Sequence, residues 1–298
     1  MKSRYTPIVW SIVYLLLLLS LLTPFSILSV FCIVVPAAIL YATLDVKRFL
    51  FHVAPIWIVI GIMAPALLLL AIYLIIPAIT MGNCYKKRSS ALRTVMTGAG
   101  TILVEMLLLL AFSTLFLEFN LADYVYDMVN MMMVPLKDIS ELNLLGSSDI
   151  ELISSATLQR VPFALILSSF IMAAVTQLIA RPVMNRMGYA VPKMKPIREW
   201  MLPKSLIWYY VLGFILNVIA LSSDSSSMQM IAVNMQQILS ILFTIQAVSF
   251  FFYVGYIRHW NPVLPFLTII PILMFPPLSI IGILDIAFPL RQRMTKSK

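Results

Sequence analysis

Charge is what this sequence has least of. Lys, Arg, Asp and Glu together make up 11% of 298 residues, where a soluble domain carries about 25%. A soluble fold of this length needs a charged surface, and so few charges cannot cover one. Cysteine is almost absent too: Cys32 and Cys84 are the two present. Without CxxC spacing they read as reduced bystanders rather than a redox pair. Two histidines, His52 and His259, leave little for metal chemistry. Both sit beside basic turns and read as interfacial residues, with titration near neutral pH as the functional alternative. There is no P-loop, no HExxH and no GxSxG. Gly98-Ala-Gly100 lacks the rest of a dinucleotide fingerprint. The chain is therefore expected to be no enzyme and to need no cofactor and no metal.

What is present is apolar. Hydrophobic residues make up 61% of the chain, gathered into runs of the roughly 20 residues that span a bilayer as a helix. The short alternating segments of a β-barrel do not occur. The net charge of +9 sits in clusters at the ends of the runs: Lys2 and Arg4, Lys47 and Arg48, Lys86 to Arg93, Arg181 to Lys204, Arg258, and Arg291 to Lys298. That is the positive-inside pattern, and it argues against a nucleic-acid groove. Lys2 and Arg4 precede an apolar stretch with no small-residue cleavage site after it, so an uncleaved first helix is expected.

The run from Pro7 to Leu44 is too long for one crossing, and Pro24 divides it into helices over 7–22 and 25–43. After a basic turn, Val53 to Met81 contains Pro55, Pro65 and Pro77. Basic groups flank it on both sides, so it crosses an even number of times, as a hairpin turning near Pro65. Helices over 95–118, 160–180, 205–221 and 228–256 follow. Residues 262–290 form a second proline-broken hairpin, turning at Pro276 and Pro277. His52 and His259 precede the two hairpins and leave room for an internal repeat.

The expected fold class is all-α: a polytopic transmembrane helical bundle of about eight to ten membrane segments, including two short proline-broken hairpins, with N- and C-termini cytoplasmic. Residues 1–298 are read as a single integral membrane domain. All but Lys137 and Arg160 of the 21 Lys and Arg residues then face the cytoplasm. Residues 119–157, rich in acid, form an external loop. Its length argues for amphipathic helices lying on the surface, and Ser148-Asp-Ile-Glu151 matches a capping box. Residues 181–204 form a basic cytoplasmic loop stiffened by Pro182, Pro192, Pro196 and Pro203.

The second half carries recognisable motifs. They are Arg186-Met-Gly188-Tyr-Ala-Val-Pro192, Pro196-Ile-Arg198-Glu-Trp200-Met-Leu-Pro203 with Ile207-Trp208, and Gly282-Ile-Leu-Asp285-Ile-Ala-Phe288 followed by Arg291 and Arg293. Over about residues 181–293 the chain resembles the YybS-like family of bacterial multi-pass membrane proteins. That family is distantly similar to the substrate-binding components of energy-coupling-factor transporters. The resemblance implies a small-molecule site open to the outside, an energising partner inside, and a bacterial plasma-membrane location.

Glu105 is the most informative single residue. It lies well inside a span, where a charge costs about 2.5–3.5 kcal/mol on insertion scales. It is expected to face the interior, protonated or paired, either as a substrate ligand or proton carrier or as a structural hydrogen-bonding group. Asn217, Gln236 and Gln246 are further substrate-binding candidates. Gln236 and Gln246, ten apart, fall about 80° apart on a helix and suit one cavity wall; helix-to-helix glue is the structural alternative. Asp285 is expected to pair with Arg291, Arg293 or another basic end group. Arg186, Arg198, Trp200 and Pro203 are candidates for docking a partner, against the alternative of a loop resting on anionic lipid. The partners expected are the lipid bilayer, a small-molecule solute, and a cytoplasmic or membrane protein. The leading expectation is a membrane solute-binding or transport component; the alternative is a non-transporting scaffold.

Overall fold

The computed structural model describes residues 6–139, 147–223, 225–288, 290, 291 and 294, without the side chains of 134–139 and 147. Lys2, Arg4, Glu141 and Arg293 lie outside it, as do the side chains of Lys137 and Asp138. Every regular element among the described residues is helical. In chain order these are α1 (Thr6–Ser20), α2 (Ser26–Cys32), α3 (Val34–Thr43), α4 (Val46–Met63), α5 (Pro65–Tyr73), α6 (Ile75–Lys86), α7 (Ala91–Phe116), α8 (Leu121–Ile139), α9 (Ser147–Gln159) and α10 (Val161–Arg186). After a 3-10 turn at Ile197–Glu199 come α11 (Leu206–Leu221), α12 (Ser226–Ile257), α13 (Val263–Leu267), α14 (Ile269–Met274), a 3-10 turn at Pro276–Ser279, and α15 (Ile280–Ala287).

Among the described residues, six segments are long and apolar enough to cross a membrane: Ser26–Thr43, Val46–Met63, Pro65–Lys86, Ala91–Phe116, Val161–Arg186 and Ser226–Ile257. Four shorter apolar helical segments accompany them. Side chains such as Phe51, Ile62, Trp208 and Leu221 point outward, while Glu105, Gln246 and Asp285 are buried. Apolar outside and polar inside is the arrangement a bilayer requires, since lipid is the solvent.

Proline sets the breaks. Ala64, before Pro65, is driven out of the helical region (φ −152°, ψ 82°), because proline crowds the preceding residue. α4 ends there, and Pro65 takes the first position of α5. Phe275, before Pro276, does the same in the second hairpin (φ −116°, ψ 89°). Two boundaries differ from the sequence reading. α4 begins at Val46, so Lys47, Arg48 and His52 lie on the helix rather than in a turn. His259, by contrast, follows the end of α12, so the two histidines are not in equivalent places. α10 runs through Pro182 to Arg186 instead of stopping before Arg181. Its end is set by Gly188 at φ +85°, where Tyr189 N–H reaches Met184 O at 2.9 Å and Gly188 N–H reaches Asn185 O at 3.0 Å. That is a glycine cap of the Schellman type. A missing N–H at Pro182 removes one helical bond and does not end the helix.

The chain divides into two compact units, Met1–Asn120 with Ala164–Met194, and Leu121–Phe163 with Lys195–Lys298. In the first, α3 packs on α6 and α6 on α7. The approach is close: a Cβ on Gly82 would stand 2.8 Å from Tyr41 Cδ1, and one on Gly98 would stand 2.6 Å from Met81 Sδ and 3.3 Å from Ala173 Cβ. In the second, α12 is the central element, packed by α11, α13, α14 and α15. α8 pairs with α9 through Val125, Val129 and Ile150. α9 begins at Ser147, so Ser148 lies within the helix rather than at its cap.

Candidate functional site

The polar interior has two centres, one in each unit. In the first, Glu105 lies near the middle of α7, roughly 21 Å along the axis from Ala91 at 1.5 Å per residue. It is 6% exposed, and among the described residues neither carboxylate oxygen has a hydrogen-bond partner. Contact of Gly98 with Met81 sets the antiparallel register of α6 and α7, which brings Glu105 to the level of Leu74. The neighbouring Tyr73 lies within electrostatic reach of Glu105, and its hydroxyl is also without a partner. Tyr73 stands at the break between α5 and α6. Pro77, four residues on, has no N–H to offer the Tyr73 carbonyl. An unpaired carboxylate thus lies beside the bend between α5 and α6. Gln177 on α10, 2% exposed, likewise keeps both side-chain polar atoms unpaired.

The second centre is fully connected. Asp285 on α15 is 0% exposed. Its Oδ2 accepts from Arg291 Nη2 at 2.7 Å and Nε at 3.0 Å, and from Gln246 Nε2 at 2.6 Å. Gln246 Oε1 accepts from Leu202 N–H at 3.0 Å. Arg291 Nη1 donates to Arg198 O at 2.8 Å, and its Nη2 donates to Ser249 Oγ at 3.1 Å. The Ser249 hydroxyl lies 2.7 Å from Ile197 O and 2.8 Å from Trp200 O. Three side chains on α12 and α15 and one arginine therefore hold the backbone of 197–202 against the bundle. Gly282 lets α15 approach: a Cβ there would collide with Phe243 O and stand 2.9 Å from Ala247 N.

The sequence candidates fare differently. Gln246 is committed to the clamp at both ends, whereas Gln236 Oε1 is buried without a partner among the described residues. Asn217 is half-buried on α11, one turn beyond Gly213, which packs on Met235 and Leu239. Arg198, Trp200 and Pro203 belong to the second unit and Arg186 to the first. The Trp200 indole N–H is spent within its own loop, on Lys195 O at 2.8 Å. Pro203 is exposed, and its carbonyl accepts from Leu206 N–H as α11 begins. Asp285 does pair with Arg291.

One residue escaped the sequence reading. Ser249 gave no signal in an apolar helix. Asn234 caps α10 from another helix: its Oδ1 accepts from Phe163 N–H at 2.7 Å, and its Nδ2 donates to Gln159 O and Met230 O, both at 2.6 Å. Pro162 alongside has no N–H to satisfy, which leaves Phe163 as the donor in need. Among the described residues no three His, Cys, Asp or Glu side chains are placed to hold a metal.

No solved structure matches this chain. A protein of Bacillus subtilis (strain 168), "Uncharacterized protein YybS", is 28% identical over 138 residues, which cover 45% of this chain and 44% of that protein. The matching region thus spans less than half of the relative's length. The model of one family, described as "Predicted membrane protein (DUF2232)", matches residues 11–286, a range that includes Glu105 and Asp285 but stops short of Arg291, and the chain belongs to that family of membrane proteins.

Proposed function

We propose that the protein is a solute-binding or transport component of the bacterial plasma membrane, with an interhelical site at Glu105. The orientation that goes with it has both termini and residues 181–204 cytoplasmic and residues 119–157 external. What carries the proposal is Glu105 itself: a carboxylate at mid-helix depth, buried, with both oxygens unpaired. Burying such a group costs several kcal/mol unless something neutralises it. A structural carboxylate meets that cost with a fixed partner, as Asp285 does with Arg291. Glu105 has none, so its partner is a proton or a cationic or hydrogen-bonding group of a solute.

Dicyclohexylcarbodiimide, an apolar reagent for protonated buried carboxyls, separates the two residues in native membranes. Glu105 is expected to be modified and Asp285 to be spared. A Glu105 that stays unmodified while other carboxyls react would remove the basis for the site. The second reading, a scaffold that docks a cytoplasmic or membrane partner, is favoured by the clamp alone, which gives residues 197–202 a fixed shape. A stable co-purifying protein, together with a ligand-free interior, would favour it.

A further inference from the structure

The second unit contains a cleft that neither Glu105 nor the clamp uses. It has a volume of about 510 Å³, and its walls include Arg198, Tyr256, His259, Trp260, Pro262 and Phe266. A second hollow of about 420 Å³ is lined by Trp260, Leu264, Leu267, Thr268 and Pro271. Trp260 lines both, so a basic, aromatic mouth and an apolar groove lie to either side of one indole ring.

The mouth is built by the end of α12. His259 adopts φ +54°, with Trp260 N–H on Gly255 O at 2.9 Å and His259 N–H on Tyr256 O at 3.4 Å. This is a Schellman turn made without glycine, in a conformation that histidine adopts more readily than most side chains. Gly255 admits Pro265, whose Cγ would stand 2.6 Å from a Cβ at that position. Arg198 arrives from the other side. Its carbonyl is fixed by Arg291, and its guanidinium lies 3.8 Å from the centre of the Tyr256 ring. The ion pairs among the described residues, Arg48–Asp45 and Arg291–Asp285, involve neither Arg198 nor His259. A cation is therefore held in place, stacked and without a counter-ion, at the head of an apolar groove. Leu264 and Leu267 in that groove are about half exposed, as lipid-facing side chains are.

We propose that this cleft and groove bind one anionic phospholipid, the phosphate at Arg198 and His259 and an acyl chain along Trp260, Leu264, Leu267 and Pro271. Charge and shape both select this occupant. A soluble anion has no use for the groove, and a neutral lipid has none for the stacked guanidinium. General attraction of basic loops to anionic bilayers requires neither a fixed arginine nor a groove. The proposal stands apart from the site at Glu105 and does not depend on it.

The test is native mass spectrometry of the protein released from nanodiscs of mixed phosphatidylglycerol and phosphatidylcholine. Wild-type protein is expected to retain phosphatidylglycerol. Arg198→Gln, which keeps the carbonyl that Arg291 uses, should lower its occupancy roughly tenfold, the worth of about one charge-assisted contact. Arg198→Lys should restore part of it. Lys195→Gln removes the same charge from the same loop outside the cleft and should leave occupancy unchanged, and Trp260→Ala should lower it. Inorganic phosphate, added as competitor, should not displace the lipid. The proposal is overturned if Lys195→Gln costs as much as Arg198→Gln, which means bulk attraction. It is equally overturned if phosphate displaces the lipid at matched concentration, or if no phosphatidylglycerol is retained.

Discussion

Arg291 lies 2.7 Å from Asp285, and the same guanidinium holds the carbonyl of Arg198, 93 positions back along the chain. A residue close to the C-terminus thus fixes a loop from the middle of the sequence. Removing one partner from a buried pair costs about 3–5 kcal/mol, because the other charge is left unpaired. Asp285→Ala is expected to lower the unfolding temperature in detergent sharply and to open residues 195–202 to protease. Arg291→Lys should behave nearly as badly, since a point charge cannot reach Asp285, Ser249 and the Arg198 carbonyl together. Unchanged melting in both variants would mean that the clamp is not what holds the loop.

The pair was readable in outline and the network was not. Asp285 stands in an apolar run six residues before Arg291, so a charge partner at the chain end was the economical expectation. Ser249, Gln246 and the carbonyls of Ile197, Arg198 and Trp200 are brought together across separations of 39 to 93 positions. Within an apolar membrane helix no periodicity says which polar residue meets which backbone group. The proline breaks at Ala64 and Phe275 could be anticipated because proline acts on its immediate neighbour. Pro182 misled because the stop for α10 lies at Gly188, whose positive φ is a property of the cap and not of the proline. The same lack of long-range information paired Gln236 with Gln246 on angular grounds, although Gln246 is drawn to Asp285.

Trp200 is a candidate for docking a partner or resting on lipid, and its indole N–H closes its own loop on Lys195. Trp200→Ala would therefore disturb the loop as well as any partner. Trp200→Phe, which keeps the ring and loses the N–H, is the cleaner probe. It should raise protease sensitivity of 195–202 modestly, by the roughly 0.5–1.5 kcal/mol that one hydrogen bond contributes. No change in sensitivity would show that the Lys195 bond is dispensable.

Gly282 is where α15 meets the backbone of α12, and any side chain there must push the helices apart. Gly282→Val is expected to cost at least the roughly 1–3 kcal/mol of an overpacked core and to loosen Asp285 three residues on. Thermal unfolding should show Gly282→Val and Asp285→Ala to be strongly non-additive, since both act on the same junction. Full additivity would place the two effects in separate parts of the structure.

Asn234 makes two hydrogen bonds at the junction of α9 and α10 and a third to Met230 O on its own helix. Asn234→Leu should keep the helix apolar and lose all three, leaving Phe163 N–H unsatisfied. The expected loss is about 1–3 kcal/mol, seen as faster amide exchange at 159–164. Unaltered exchange there would exclude a capping role.

The proposed orientation rests on the distribution of basic residues. Single cysteines introduced at Asn143 and Lys195 in an otherwise cysteine-free chain should be labelled by an impermeant maleimide from outside at 143 only. The reverse pattern would invert the proposed topology and place the Glu105 site the other way up.

The central claim is that Glu105 serves a solute. Native mass spectrometry of the protein, purified from its own cells in mild detergent, tests it most directly. Wild-type protein should carry a small non-lipid mass, Glu105→Gln less of it, and Glu105→Leu none, with all three equally well folded. The same bound mass in wild type and Glu105→Leu, or no bound small molecule in wild type, would contradict the claim.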